Sequence, residues 1–362
     1  MSSPSLVLRA ASSVQKQDLR WLWPGRIPRG KLTLIAGDPG LGKSLACADI
    51  AARVTTGAPW PGEPVPDQPR PPEKVWMISS EDDEADTLRP RLDAAGADCK
   101  RVFFMQGVRS QNSQHLSTIR LDRHIFWLEQ ACEDGDVPAL IIIDPITAYL
   151  GDVDAHNQAE VRGMLNPLCM LAQKYGIAVI GVMHLNKRED ASGVYRISGS
   201  LAFPAAARAV WWVKQARHDA DTRQFLPAKF NLGPPPTGLE FFVACAQDGT
   251  PRVQFGEEIS PEQAAAEAPT SPEGLGKIDI AKDLLMEMLA GGMKEAKDIL
   301  KWAAEAGITP STLARARAEI GVIAKRVGGN GPWFMMLPPG LRKQAGVWVC
   351  DVEPLPEEAN AA

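Results

Sequence analysis

The sequence predicts an α/β fold: a parallel β-sheet with helices on its faces, followed by a much smaller module of helices and short strands. Three observations carry that prediction. Four near-continuous apolar runs, Lys31–Ala36, Val75–Ser80, Leu140–Ile143 and Ala178–Met183, read as strands buried on both faces. Helical patterns fill the intervals at Ser44–Val54, Asp83–Ala95, Asp122–Glu133 and Ala159–Tyr175. Composition then changes near residue 256, where GEEISPEQAAAEAPTSPEGLG is acidic, rich in Ala and Pro, and almost free of large apolar side chains.

These features divide the 362 residues into an N-terminal tail (1–20), an α/β body (21–255), a flexible linker (256–276), a small module (277–340) and a C-terminal tail (341–362). Between the first helix and Val75, GAPWPGEPVPDQPRPPE is too dense in proline for a helix and reads as an extended surface loop. Ala209–Val213, Leu226–Asn231 and Glu240–Ala244 read as later strands, with Gly233-Pro234-Pro235-Pro236 as a turn signal. In the small module, Ile278–Met288, Ala296–Ala306 and Ser311–Ile320 have helical apolar patterns. Thr309 is placed to cap the last of these, with Pro310 at its first position. VIAKRVGGNGPWFMML then reads as two short strands joined by Gly328-Gly329-Asn330-Gly331.

Composition limits the function classes. Hydrophobic residues make up 45% and charged residues 23%, which suits a globular chain and not a disordered one. A net charge of -5 argues against a uniformly basic nucleic-acid coat, while leaving room for a local basic face. No apolar stretch approaches the ~20 residues that cross a bilayer, and the start lacks the pattern of a secretory leader. Cys47, Cys99, Cys132, Cys169, Cys245 and Cys350 are scattered without a C-x-x-C pair. They read as reduced thiols of a cytoplasmic protein, with neither zinc nor disulfides expected.

The chemistry is concentrated at Gly37-Asp38-Pro39-Gly40-Leu41-Gly42-Lys43-Ser44, a full match to G-x-x-x-x-G-K-[ST]. A predicted strand precedes it and a predicted helix follows. Glycines let the backbone wrap a phosphate, and successive N–H groups with the helix N-terminus supply positive potential. Lys43 would reach the outer phosphates and the Ser44 hydroxyl would bind Mg²⁺.

Three further strand ends face the same crevice, the edge at which α/β sheets bind ligands. Asp144 closes LIIID and can hold Mg²⁺ through water. Pro145 follows it, so the adjacent Asp-Glu pair of many AAA+ ATPases is missing. Glu81, closing VWMISSE, is the candidate to polarise the attacking water, with Asp82 and Asp83 in competition; acidic residues also favour a helix start for its own sake. His184, closing AVIGVMH, is a candidate sensor of the terminal phosphate.

Taken together, WLWPGRIPRGKLTLIAGDPGLGKS, ISSEDD, LIIIDP, VMHLNK and SGSLAFPAAARAVWWV resemble the RecA/DnaB-like class, and more closely the RepA-type plasmid replicative helicases and related phage or prophage ATPases, over about residues 20–245. In RecA-type ATPases the catalytic glutamate stands where Glu81 does. The resemblance implies a RecA-like P-loop NTPase core with ATP and Mg²⁺ as cofactors. It also implies a ring of identical subunits, often a hexamer, with ATP bound between neighbours. On that basis Arg208 matches the arginine finger that reaches a neighbour's phosphate, with Arg196 as runner-up. The segments Tyr149–Gln158 and Asn186–Ser200 correspond to central-channel loops, where Lys187, Arg188 and Arg196 would meet a DNA backbone. Asp152 and Asp154 in the first loop depart from that pattern.

The small module resembles the winged-helix domain appended to many such ATPases. From Thr309 to Leu337 it carries Arg315, Arg317, Lys325 and Arg326 against Glu319, a net +3 in an acidic chain. DNA is the expected partner of that face, with protein docking as the alternative. The expected function is an ATP-hydrolysing motor on single-stranded or forked DNA, of the replicative-helicase kind, with itself and replication proteins as protein partners. The alternative is a regulatory or loading ATPase that uses ATP as an assembly switch without unwinding.

Overall fold

The structure is a computed structural model that describes residues 8–63, 68–109, 116–153, 155, 158–185, 202–217, 219–267, 277–290, 292–305, 308–326, 331–338, 341–344 and 347–350. The described residues divide into two compact units, the first ending at residue 267 and the second beginning at 277.

The first unit is built on nine strands: β1 (Leu32–Gly37), β2 (Val75–Ser79), β3 (Val102–Phe104), β4 (Leu140–Asp144), β5 (Ala178–His184), β6 (Ala209–Gln215), β7 (Thr222–Phe230), β8 (Gly238–Cys245) and β9 (Pro251–Ile259). They form one sheet in the order β9-β8-β7-β6-β1-β5-β4-β2-β3. From β6 to β3 every neighbour is parallel; β7, β8 and β9 extend the β6 side as an antiparallel meander. The four apolar runs are thus the central parallel strands, as the sequence predicts.

Period-2 alternation decides which face each side chain serves. Leu34, Ile141 and Ile143 join one core with Leu165, Leu168 and Phe203. Ile35, Ile142 and Ile180 join the other with Ala46, Ile50, Leu92, Trp211 and Phe225. Helices α3 (Ile125–Glu133), α4 (Gln158–Tyr175) and α5 (Ala202–Ala206) supply the first face, while α1 (Lys43–Thr56) and α2 (Arg89–Ala94) supply the second. The central strands β1, β2, β4 and β5 are therefore buried on both sides, which is why they show no polar alternation.

Two stretches differ from expectation. The predicted helix Asp83–Ala95 begins as a π-helical turn, Glu84–Leu88, before α2. The expected linker does not begin at Gly256: β9 runs on to Ile259, and Pro261–Glu267 forms α6. Ser260 and Gln263 cap one another there, Gln263 N–H donating to Ser260 Oγ at 3.2 Å and Ser260 N–H to Gln263 Oε1 at 3.1 Å. This reciprocal capping box starts a helix whose Ala, Glu and Gln residues have high helix propensity; the linker expectation rests on the lack of large apolar residues. Ala264 then packs on Leu226 and Ile259, and Lys214 pairs with Glu267. Residues 268–276 of the expected linker lie outside the described residues.

One glycine of the core is fixed by close approach. A Cβ on Gly37 would stand 2.3 Å from the Val213 carbonyl oxygen, because Gly37 and Val213 are register partners of β1 and β6. Gly37→Ala is expected to destabilise the chain by about 1–3 kcal/mol through overpacking, read as a lowered urea midpoint of the full-length protein.

The second unit runs α7 (Lys277–Ala290), β10 (Lys294–Glu295), α8 (Ala296–Glu305), α9 (Pro310–Ile320), β11 (Ile323–Arg326) and β12 (Trp333–Met336). Its strands pair antiparallel in the order β10-β12-β11. Ala281, Leu285, Ile299, Leu313 and Met335 form its core. Thr309 caps α9, its side chain accepting from Thr312 N–H, with Pro310 at the first helical position, as the sequence predicts. The expected C-terminal tail instead carries an antiparallel pair, Leu341–Gln344 with Val347–Cys350. Residues 327–330, expected from the sequence to join the two strands, lie outside the described residues.

Candidate functional site

The C-terminal edge of the parallel sheet brings the candidate residues together. From the end of β1 the chain turns through Gly40 and Gly42, whose φ values of 78° and 85° lie in the left-handed region that glycine favours. It then enters α1, whose N-terminus is aimed back at the loop. Lys43 is buried, and its Nζ donates to the carbonyls of Gly37 at 2.9 Å and Asp38 at 2.8 Å. Burial lowers its pKa, opposed by Asp144, Asp38 and Glu81. The ammonium is thus held across the mouth of the loop, with acceptors it can exchange for phosphate oxygens.

Asp144 ends β4 and is buried. Burial raises its pKa, reinforced by Glu81 and Asp82 and opposed by a hydrogen bond from Ser44 and by Lys43. Strand β5 lies between β1 and β4, so loop and carboxylate face one another across its end. Among the described residues no cluster of three or more His, Cys, Asp or Glu side chains is placed to hold a metal. The Ser44 hydroxyl bonded to the buried Asp144 carboxylate nevertheless fits Mg²⁺, which keeps several waters and completes its shell with substrate phosphates. Cys47, one turn along α1, is a buried thiol with its pKa pushed well up by burial, an inert core residue.

The geometry separates the three competing carboxylates. Asp82 is taken by Arg91 of α2 at 2.6 Å. Asp83 caps the π turn, accepting from the N–H groups of Ala85 and Asp86. Glu81 makes neither contact, and its Oε1 lies 3.1 Å from His184 Nε2 at the end of β5. Ser79 Oγ shapes this turn by accepting from Glu81 N–H at 3.4 Å and Asp82 N–H at 3.1 Å. Behind it, buried Tyr149 bonds the Ser80 side chain, with its phenol pushed up to about 12 by burial. Sequence reasoning missed Ser79, Ser80, Arg91 and Tyr149. Only the short-range Ser79 turn carried a local signal, a hydroxyl two and three residues before the amides it accepts.

Arg208 lies elsewhere. It is exposed at the start of β6, its N–H bonded to Leu32 O at 3.0 Å. β6 runs parallel to β1 from Ala209 beside Thr33 to Val213 beside Gly37. At about 3.3 Å per residue, Arg208 is roughly 15 Å from the glycine loop of its own chain. It therefore cannot serve that loop in cis.

In the first expected channel loop, Asp152 is engaged by Arg120 at 2.7 Å and Arg123 at 2.6 Å. Two arginines that the sequence did not single out thus balance the charge that departs from the pattern. Asp154, Lys187, Arg188, Arg196 and the rest of the second loop from Asn186 to Ser200 lie outside the described residues.

Fold and site together define a RecA-like P-loop ATPase core: a parallel sheet whose first strand enters a glycine loop closed by Lys43 and Ser44, with an acidic strand end two strands away. A family model described as an AAA domain matches residues 2–190, more than half of the sequence, and the chain belongs to that family. No curated protein matches it. Among solved structures it is similar to one described as the crystal structure of the RadB recombinase, at 15% identity and a TM-score of 0.42, over 60% of this chain and 89% of that one.

Proposed function

We propose that the protein is an ATP-hydrolysing motor on DNA, of the replicative-helicase kind, working as a ring of identical subunits. The observation that carries the catalytic part is the convergence of Lys43, Ser44, Asp144, Glu81 and His184 on one sheet edge, with Glu81 the acidic residue of its turn that neither caps a helix nor pairs with arginine.

The loop amides and Lys43 bind the triphosphate and take up charge that grows on the terminal phosphoryl group. Ser44 and Asp144 would hold Mg²⁺, which supplies Lewis-acid polarisation of the phosphate oxygens. Glu81 accepts a proton from the attacking water as its oxygen bonds to the terminal phosphorus and the bond to the bridging oxygen breaks. His184 steadies the glutamate and links it to the segment that follows β5. Arg208 acts from a neighbouring subunit on the opposite edge of the sheet.

The DNA part is supported by the second unit. Its order of helix, strand, helix, helix and two strands is the order a winged helix would have, and Arg315, Lys325 and Arg326 are exposed on it. The test is ATP turnover with and without single-stranded DNA, followed by unwinding of a forked duplex. Stimulation by single strands and ATP-dependent strand separation are expected. Turnover without separation would overturn the helicase reading and leave a DNA-linked ATPase switch.

A further inference from the structure

The two tryptophans of the second unit have different fates. Trp302 packs against the core. Trp333, at the start of β12, does not, and stands 52% exposed. The core closes without it, on Ala281, Leu285, Leu289, Ile299, Ala303, Ile308, Leu313, Ala316 and Met335. An indole left in water gives up hydrophobic stabilisation that the fold could have used, so its position calls for a ligand.

Its surroundings define that ligand's chemistry. Trp333 is the register partner of Arg326 across the antiparallel β11–β12 pair. Among the described residues Arg326 makes one side-chain hydrogen bond, Nε to Gly331 O at 3.0 Å. This anchors the guanidinium while leaving its terminal amino groups unspent. Lys325 and Arg315 are exposed, and neither has an ion-pair partner among the described residues. Glu319, the acidic residue of the stretch from Thr309 to Leu337, is engaged by Lys282 of α7. A flat aromatic face thus shares its strand pair with two cations, and the carboxylate of that stretch is already neutralised. Met293 and Leu300 of this unit are exposed as well, but the residue in register with the indole is the cation Arg326, which favours a ligand that pairs a flat face with a negative charge over an apolar protein surface. Groove binding to a duplex would present base edges and bury the base faces in the stack.

We propose that this strand pair is a stacking platform for unpaired nucleobases: Trp333 takes the face of a base, while Arg326, its register partner on the same face, holds the phosphate beside it and Lys325, on the opposite face, adds to the positive potential. The proposal rests on the DNA reading above and narrows it to single strands and the mouths of forks. Stacking on an aromatic side chain tolerates any base, so the platform has no sequence code.

The test measures binding of the full-length chain, without nucleotide, to labelled oligo(dT) and to a blunt duplex of equal length by fluorescence anisotropy. Trp333→Ala is expected to weaken oligo(dT) binding about 5- to 100-fold and to change duplex binding less than about twofold. Trp333→Phe retains most of the affinity. Lys325→Ala with Arg326→Ala weakens both ligands and lowers the salt dependence by about one counterion for each phosphate no longer neutralised. DNA-independent ATP turnover stays at the parent level in all three variants, which shows the first unit intact, and unchanged thermal unfolding by circular dichroism certifies the second. Equal losses on single strands and duplex in Trp333→Ala would overturn the assignment to unpaired bases. Unchanged oligo(dT) binding by Trp333→Ala would overturn the platform, and a change in that variant's sedimentation alone would reassign the surface to self-association. A parent chain that binds neither DNA would sink the DNA reading itself, and the platform with it.

Discussion

Replacing Lys43 by alanine lowers kcat/KM for ATP by about two orders of magnitude or more, while the fold survives. The expectation follows from where the ammonium sits. Lys43 is buried at the mouth of the glycine loop and bonded to two loop carbonyls, so its charge is positioned before substrate arrives. Loss of one preorganised donor to a transition-state oxyanion costs about 10²–10³ in rate, and loss of a full charge next to phosphate belongs at the upper end. The stability effect is smaller because two changes oppose each other. Alanine leaves the Gly37 and Asp38 carbonyls without this donor, but it also relieves the burial that lowers the Lys43 pKa. Lys43→Arg should not rescue, since a planar fork does not fit a buried point-charge position between two carbonyls. Calorimetric ATP titration and steady-state turnover check the result. A Lys43→Ala chain that binds and hydrolyses ATP like the parent would remove the basis of the entire nucleotide reading.

How much of this was legible in the sequence depends on whether a feature is local. The glycine loop is written in eight consecutive residues because backbone approach to phosphate forbids most side chains there. The four central strands are equally plain, since burial on both faces leaves no polar position within them. By contrast β3 has only Val102 buried, and β9 mixes Val253 and Ile259 with exposed charges. Edge strands covered on one side lack the apolar run that betrays a central one. Other misses are partnerships across the chain. Nothing near Asp152 announces Arg120 and Arg123, and Tyr149 gives no hint of Ser80; these pairs exist only once the connecting segments are folded against one another. The Ser260–Gln263 capping box was readable, but the lack of large apolar side chains makes the stretch read as a linker.

That same distinction between local sequence and folded geometry makes Glu81 the decisive residue of the site. In the sequence Glu81, Asp82 and Asp83 are interchangeable candidates, three carboxylates in a row. In the fold each has a different neighbour: His184 for Glu81, Arg91 for Asp82 and the amides of the π turn for Asp83. A general base contributes typically about 10²–10⁴ to rate. Glu81→Gln should therefore lower turnover within that range while ATP affinity stays near the parent value, because the amide keeps the shape of the turn and loses only the basic oxygen. Asp83→Ala should cost about 1 kcal/mol of stability, the worth of a helix cap, and change turnover little. Asp82→Asn frees Arg91 and loosens the turn that Ser79 shapes, so its effect on turnover should be intermediate and should come with a shift in KM. Single-turnover hydrolysis beside equilibrium nucleotide binding separates these outcomes. If Glu81→Gln turns over at the parent rate and Asp82→Asn does not, the base is Asp82, and Arg91 is the partner that orients it.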